Sequence, residues 1–158
     1  MATDLAFGNT TISASIPSSG QPFSGHLQQL QLHSTRISCT IPPVLFQMQN
    51  LFHFAIFDTN ISGTLPTEWP HVTHLHCHKT PLSGTISYPI ESVRTESETF
   101  FLRETALSGS LPALYNIGES LQIFDVSSTR ISGSLSSSSS TCSTCGHTLT
   151  NPMITSRV

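Results

Sequence analysis

The sequence predicts a solenoid of stacked repeats, of the α/β type but with few or no α-helices. A right-handed coil would carry a parallel β-sheet on its concave face and irregular or 3₁₀ segments on its convex side. Three observations predict this fold class. One short motif occurs six times, its copies are evenly spaced, and a fixed pattern of apolar residues precedes each copy.

The motif reads Thr, any residue, Ile or Leu, Ser, a small residue, Ser or Thr, and then Ile or Leu. Its copies TTISASI, TRISCTI, TNISGTL, TPLSGTI, TALSGSL and TRISGSL begin at Thr10, Thr35, Thr59, Thr80, Thr105 and Thr129. Successive copies therefore start 25, 24, 21, 25 and 24 residues apart, which chance does not readily produce. Because self-similarity at a fixed period marks repeat architectures, we predict a tandem array.

Apolar residues stand eight, five and three positions before the motif Thr. The segment LQQLQLHST, residues 27 to 35, shows this pattern fully, whereas Ala2 and Ser97 weaken it in two other copies. This is the leucine-rich-repeat frame LxxLxLxx(N/T), whose period is typically about 20 to 29 residues. Each frame predicts a short strand in which alternate residues, such as Leu30 and Leu32, point inward.

Two further positions have structural interpretations. The motif Thr residues stand where the frame usually has Asn, and we predict that their hydroxyls form an internal ladder of hydrogen bonds with backbone groups. Glycine at four motif positions indicates a backbone that tolerates no side chain or needs a positive φ angle. Large residues ten positions after the Thr are expected to fill the convex side: Leu45, Trp69, Ile90 and Tyr115.

The repeats are predicted to occupy residues 1–136, followed at 137–158 by a Ser-rich linker and a short, disordered tail. The tail contains the CxxC pair Cys142 and Cys145. This pair is compatible with a local disulfide, half a zinc site, a redox pair, or two incidental thiols. His147 would be a third zinc ligand, but a fourth is missing.

Composition argues against several functions. Only 9% of the 158 residues are charged, against roughly a quarter in ordinary globular proteins. Six Lys and Arg residues and a net charge of −3 do not favour binding to nucleic acid or to anionic membranes. No apolar run approaches the roughly 20 residues of a transmembrane helix. The sequence lacks GxSxG, HExxH and a phosphate-binding glycine loop, so we predict no enzyme and no cofactor.

The variants of SGTLP resemble the plant-type leucine-rich repeat xLSGxIP. Thr in place of Asn, with TNISGTLPTEW at residues 59 to 69, more closely resembles the promastigote surface antigen family of kinetoplastid parasites. The likeness covers about residues 2 to 136. It implies a secreted or GPI-anchored surface glycoprotein with a Ser/Thr-rich stem, which binds host receptors.

The chain departs from that family at both ends. MATDLAFGNT shows no signal peptide, and NPMITSRV lacks the hydrophobic tail of a GPI signal. Because solenoids normally need polar caps, an alternative is a fragment, a truncated or degenerate repeat copy without independent function, or a chain whose ends a partner covers. The sequons at Asn9 and Asn60 would accept N-glycans if the chain enters the secretory pathway.

Function is expected on the concave face, where outward residues of adjacent strands lie about 4.8 Å apart. The frame places imidazole and aromatic groups at its centre, and aromatic and Arg side chains are typical interface anchors. The predicted role is therefore recognition of a protein or glycan partner. The predicted partner-binding residues are His53, Phe57, His74, His76, His78, Phe101 and Arg103.

The imidazoles allow two further hypotheses. His53, His74 and His76 would lie together on one face and could bind zinc or another divalent metal, although no carboxylate lies nearby to orient them. The alternative is a polar binding surface whose imidazoles have ordinary pKa values. Since protonated imidazoles repel one another, partner binding is expected to weaken or change below about pH 6.5.

Overall fold

The computed structural model describes residues 3–17, 25–65, 72–86, 98–111, 121–135, 148–150 and 154–156. These residues contain twelve short β-strands and one 3₁₀ helix, and none of them is in an α-helix. No helix within these ranges is long and apolar enough to span a membrane. All strand pairs are parallel and fall into two sheets, so the predicted parallel solenoid is confirmed.

The first sheet takes one strand from each of the six repeats and a seventh, β11, from the segment that follows them, all in chain order. Its seven strands are β1 (Asp4–Ala6), β2 (Gln29–Gln31), β3 (His53–Ala55), β5 (His74–His76), β7 (Glu98–Phe101), β9 (Leu121–Asp125) and β11 (Thr148–Thr150). Equivalent residues pair directly, so that the inward residues stack in one apolar column: Leu30, Phe54, Leu75, Phe100 and Phe124. All five are buried, as the two-residue period of a strand requires.

A second parallel sheet forms from the motif residues. This sheet was not predicted from the sequence. Its strands are, in spatial order, β12 (Ile154–Ser156), β10 (Arg130–Leu135), β8 (Ala106–Ser110), β6 (Leu82–Gly84) and β4 (Gly63–Thr64). The second copy of the motif contributes only an isolated bridge between Thr40 and Ser62. Apolar motif residues such as Ile61 and Leu65 face the same core as the first sheet. From the third repeat onward, each repeat therefore contributes one strand to each of the two sheets around a shared core.

The motif glycines have positive φ angles and leave little room for a side chain, so both predicted properties are present. Their φ angles are positive, at 98°, 100°, 99° and 151° for Gly63, Gly84, Gly109 and Gly133. A Cβ on Gly109 would lie only 3.0 Å from Cγ2 of Thr85 in the preceding repeat. Ala14 and Cys39 replace the glycine in the first two copies, and neither has a positive φ. This difference accounts for the second sheet starting only at the third copy, because residues with a side chain rarely adopt that conformation.

The motif Thr residues all make the same local hydrogen bond. Each hydroxyl donates to the carbonyl oxygen three residues earlier at 2.6 to 2.8 Å: Thr10, Thr35, Thr59, Thr80, Thr105 and Thr129. The residue before each Thr has a left-handed backbone, with φ between 53° and 59°. The hydroxyls therefore satisfy backbone groups at the turn, as predicted, but each bond stays within one repeat.

The convex side is described in the second repeat, where a 3₁₀ helix spans Pro43–Gln47. Leu45 of this helix is fully buried, as predicted for its position. The corresponding residues Trp69, Ile90 and Tyr115 lie outside the described residues. Cys77 is also fully buried among the inward residues, and burial raises the pKa of its thiol to about 12. It is a small core residue, as its place in the frame indicates.

The core is open at the first repeat. An apolar cavity of about 280 Å³ lies there, bordered by Leu5, Phe7, Ile12 and Ile16 among other residues. Phe7 and Ile12 are 41% and 37% exposed. The first repeat thus covers its own apolar residues less completely than the repeats that follow it.

Residues 137–158, predicted as linker and disordered tail, are described only in two short pieces. These pieces are β11 and β12, which extend the first and second sheets. The boundary of the repeats and the disorder of the tail stay predictions. The backbone of Leu149 pairs with that of Phe124 in the parallel register of the first sheet. Cys142, Cys145 and His147 lie outside the described residues.

Candidate binding site on the concave face

The outward residues of the first sheet form the surface that we call the concave face. They lie in three columns that cross the strands, since equivalent positions pair directly. The first column contains Gln29, His53, His74, Thr99 and Ile123; the second contains Gln31, Ala55, His76, Phe101 and Asp125; the third contains His33, Phe57, His78 and Arg103. All seven predicted binding residues lie in these columns.

Three rings in the third column form a stack. Phe57 lies between His33 and His78, with ring centroids 4.5 Å apart on both sides and ring planes within 5° and 9° of parallel. The stacking distance follows from the separation of neighbouring strands, about 4.8 Å. Gly8 makes room for His33, because a Cβ on Gly8 would collide with the imidazole. The repeat frame places His33 on this face, but His33 is not among the predicted binding residues.

His53, His74 and His76 lie together in the neighbouring columns, and we call them the imidazole cluster. Their ring centroids are 5.4 to 6.5 Å apart. Two hydroxyl groups orient the rings: Thr73 Oγ1 lies 2.9 Å from Nδ1 of His74, and Thr99 Oγ1 lies 3.1 Å from Nε2 of His76. Each of these two imidazoles thus has one nitrogen engaged by a neighbouring hydroxyl.

Phe101 joins the cluster to the stack. Its ring meets His76 edge-on at a centroid distance of 4.9 Å and His78 at 6.1 Å. Seven rings therefore form one contiguous network: His33, Phe57, His78, Phe101, His76, His53 and His74. Rigid aromatic contact area of this extent is typical of binding surfaces.

Burial and mutual repulsion disfavour charge on three of these imidazoles. Burial is the main cause that lowers the pKa of His53, and the nearby imidazole of His74 adds to it. Burial, followed by His53 and His74, lowers the pKa of His76 to about 4. The pKa of His78 is lowered by burial and then by Arg103. The interpretation as imidazoles of ordinary pKa is therefore wrong for these three, which are neutral at neutral pH.

Arg103 borders the ring network and lies near a buried carboxylate. Its guanidinium Nη1 lies 3.9 Å from Oδ2 of Asp125, while its side chain is 42% exposed. Oδ1 of Asp125 accepts hydrogen bonds from the backbone N–H and the hydroxyl of Ser127, at 3.0 and 2.7 Å. Asp125 is not among the predicted binding residues, although the frame places its side chain on the same face as that of Arg103.

The structure lends no geometric support to the metal hypothesis. In the described residues, no group of three or more His, Cys, Asp or Glu side chains is arranged to hold a metal ion. A zinc site at His53, His74 and His76 stays a hypothesis, to be tested by adding the metal.

The asparagine residues of the two sequons, Asn9 and Asn60, are both exposed.

Comparison with solved structures identifies the type of fold. No protein-family model matches the chain, and no curated protein matches it either. Among solved structures, the plant peptide hormone receptor RGFR1 in complex with RGF2 superposes with a TM-score of 0.76 and 25% sequence identity. The match covers 92% of this chain and 24% of RGFR1. The chain is a leucine-rich-repeat solenoid.

Two other solved structures resemble it. PEPR1–AtPEP1 has a TM-score of 0.74 at 22% identity, over 92% of this chain and 21% of that one. The ectodomain of the receptor kinase SOBIR1 from Arabidopsis thaliana has a TM-score of 0.69 at 18% identity, over 82% of this chain and 71% of that one. This leucine-rich-repeat solenoid thus spans about a quarter of the length of RGFR1 and about a fifth of that of PEPR1.

Proposed function

We propose that the chain is a non-catalytic recognition module that binds a protein or peptide partner on its concave face. The observation that carries the proposal is the contiguous network of seven rings, bordered by Arg103, on one face of a parallel sheet. The comparisons support a role in protein binding, since RGFR1 is a peptide hormone receptor seen with RGF2 and PEPR1 is paired with AtPEP1.

The physical state of the face favours association. The lowered pKa values of His53, His76 and His78 keep these imidazoles neutral. Binding of a partner therefore does not require the desolvation of several charged groups. The stacked rings are already ordered by their neighbours, which reduces the conformational entropy lost on binding. Arg103 adds a positioned donor at the edge of the network.

A finer assignment follows from the resemblance to promastigote surface antigens. It supports a secreted or surface-anchored glycoprotein whose partner is a host receptor or a glycan. The exposure of Asn9 and Asn60 is compatible with N-glycans at both positions. Expression through a eukaryotic secretory pathway, followed by intact mass measurement, tests the glycoprotein proposal. We expect glycan mass that is lost in the N9Q/N60Q double variant, and an unmodified secreted chain would contradict the proposal.

Selection of peptides from a displayed random library, with the full chain immobilised, tests the binding role. We expect peptides whose binding is lost in the H78A/R103A double variant on the concave face. The matched control is Thr64→Ala, at an exposed position of the second sheet, which should retain them. Peptides that bind the double variant as well as the original chain, but not the control, would overturn the proposal.

The open core at the first repeat favours the alternative of a truncated or degenerate copy without independent function. A functional module and a degenerate copy would differ in the behaviour of the isolated chain. A functional module should be monomeric and melt cooperatively by circular dichroism. Aggregation, or a disordered spectrum at room temperature, would support the degenerate copy instead.

A further inference from the structure

We propose that the first repeat binds an extended peptide strand of a partner, which pairs in parallel with β1 and places alternate apolar side chains in the adjoining cavity. The inference goes beyond the proposed function, because it concerns a different surface and a different mode of binding. It depends on the outer edge of β1 and on the apolar cavity bordered by Phe7 and Ile12.

The outer edge of β1 offers backbone groups for pairing. Among the described strands, β1 stands at the end of the first sheet and has a neighbour on one side only. On that side, the N–H of Phe7 donates to the carbonyl of Gln31 at 2.8 Å. Since the backbone groups of successive strand residues point to alternate sides, those of Asp4 and Ala6 point away from β2. Both residues are exposed, so this edge is a template for a further strand.

The apolar cavity beside β1 lies where the other repeats are covered. Phe7 is 41% exposed, whereas Leu32, the equivalent residue of the second repeat, is 5% exposed. Ile12 is 37% exposed and its equivalent Ile37 only 4%. The two repeats differ because the second packs against the first, and each repeat of a solenoid contacts its neighbours. The cavity of about 280 Å³ therefore adjoins a surface of the type that packs between repeats elsewhere in the chain.

The packing between repeats indicates what kind of strand fits this surface. Leu5 pairs with Leu30 of β2 in a parallel register, and the next inward residues along these strands are Phe7 and Leu32. A strand on the outer side of β1, in the same register, would place two inward residues beside Leu5 and Phe7. The partner strand therefore carries apolar residues at alternate positions. In such strand addition, main-chain bonds supply affinity and the pockets for alternate side chains supply specificity.

Charge adds one further requirement for the partner strand. Asp4 is the only charged residue of β1, and its side chain lies on the outward face of the sheet. The partner residue directly opposite Asp4 would lie about 4.8 Å away. A Lys or Arg there would be favourable, because opposite charges on neighbouring strands stabilise their pairing. The partner sequence that fits is therefore a basic residue, an apolar residue, any residue and a second apolar residue.

A second copy of this chain fits the edge less well. If two copies paired symmetrically through β1, the two strands would run antiparallel and the two cavities would face each other. A separate parallel strand instead repeats the packing that is present between β1 and β2. We therefore assign the edge to a strand from a different partner.

A fluorescein-labelled peptide copied from residues 27–35, with Gln29→Lys, tests the proposal. It carries the apolar frame of the second repeat and places a Lys opposite Asp4. Fluorescence anisotropy with the full chain should show saturable binding. A control peptide with the further changes Leu30→Ser and Leu32→Ser should bind at least about a hundredfold more weakly, since it lacks the apolar side chains. Equal binding of the two peptides, or no binding of the first, would overturn the inference.

A third peptide tests the register of pairing. It has Gln29→Glu in place of Gln29→Lys and should bind up to about fivefold more weakly than the Lys peptide, because its carboxylate would face Asp4. Asp4→Asn in the chain should remove this difference. A preference for the Lys peptide that persists in Asp4→Asn would overturn the pairing with Asp4.

Variants of the chain assign binding to the edge. Ala6→Pro removes one outward N–H, at a position where an edge strand tolerates proline, and should weaken binding at least about threefold. Ile12→Ser, at the exposed border of the cavity, should weaken it as well. Thr64→Ala, in the second sheet, is the control and should leave binding unchanged. Circular dichroism confirms that each variant is folded. Full binding by folded Ala6→Pro and Ile12→Ser variants would overturn the assignment.

The oligomeric state of the chain separates the two occupants. Analytical ultracentrifugation should show the same monomeric mass for the original chain and for Ala6→Pro. A dimer that Ala6→Pro abolishes would identify a second copy as the occupant of the edge and overturn the proposal of a separate strand.

Discussion

The imidazole of His33 lies flat against the phenyl ring of Phe57, with their centroids 4.5 Å apart and their planes 5° from parallel. The two residues are 24 positions apart in the sequence, one full repeat. The contact exists because parallel strands bring equivalent positions to the spacing of stacked rings. Its formation also depends on Gly8, which leaves space on the other side of the imidazole.

Gly8→Ala is predicted to destabilise the fold by displacing His33 from the stack. Loss of an aromatic contact of this kind costs about 0.5 to 1.5 kcal/mol. The unfolding midpoint in urea should therefore fall relative to the original chain. Gly25→Ala is the matched control, because a Cβ on Gly25 would meet nothing within 4 Å. Equal stability of the Gly8→Ala variant and the original chain would contradict the packing described for His33.

Thr59→Val is predicted to destabilise the fold through a buried hydrogen bond. The Thr59 hydroxyl donates to the carbonyl of Ile56 at 2.7 Å and accepts from the N–H of Ile61 at 3.3 Å. Valine keeps the shape but leaves these groups unsatisfied, at a cost of about 1 to 3 kcal/mol. Thr10→Val removes the same bond at an exposed position and should cost clearly less. Equal urea midpoints for the two variants would show that burial of the turn does not increase the cost of losing this hydrogen bond.

Gly109→Ala should destabilise the second sheet by about 1 to 2 kcal/mol, the cost of a left-handed backbone in a residue with a side chain. The φ angle of Gly109 is 99°, and the added Cβ would also press on Thr85. Thermal unfolding followed by circular dichroism measures the effect. A melting temperature unchanged from the original chain would mean that this backbone conformation is not required.

Acidification is predicted to destabilise the folded chain through three histidine residues of the concave face. His53, His76 and His78 have folded pKa values below the ordinary 6.5, so the unfolded chain binds more protons. Their contribution to stability is present above about pH 6.5 and is lost as pH falls towards about 4, the folded pKa of His76. Urea unfolding across this range should show a smaller loss in His76→Gln than in His26→Gln. The opposite order would contradict the pKa shift of His76.

Much of the fold was predictable because its determinants are local. The apolar frame and the Thr-to-carbonyl bond each involve residues within one repeat, so six copies of the pattern fixed the first sheet. The second sheet was missed because its strands contain glycine, as at Gly63 and Gly84, which usually indicates a turn.

The candidate site was predictable in position but not in detail. The period of the frame assigned His53, His74 and His76 to one face, which the strand pairing confirms. The frame could not predict ring orientations, because these depend on rotamers and on neighbours in other repeats, such as the Thr99 hydroxyl beside His76. It also could not predict the lowered pKa values, since these arise from burial that appears only once the strands are stacked.

Mapping of a bound peptide shows directly whether partners bind the concave face. A peptide from the library selection, carrying a photoreactive group, would be cross-linked to the full chain, and the attachment sites would be located by mass spectrometry. We expect attachment on the concave face, at or beside His53, Phe57, His76, Phe101 and Arg103. Attachment confined to the second sheet, around Thr40, Thr64 and Thr85, would contradict it.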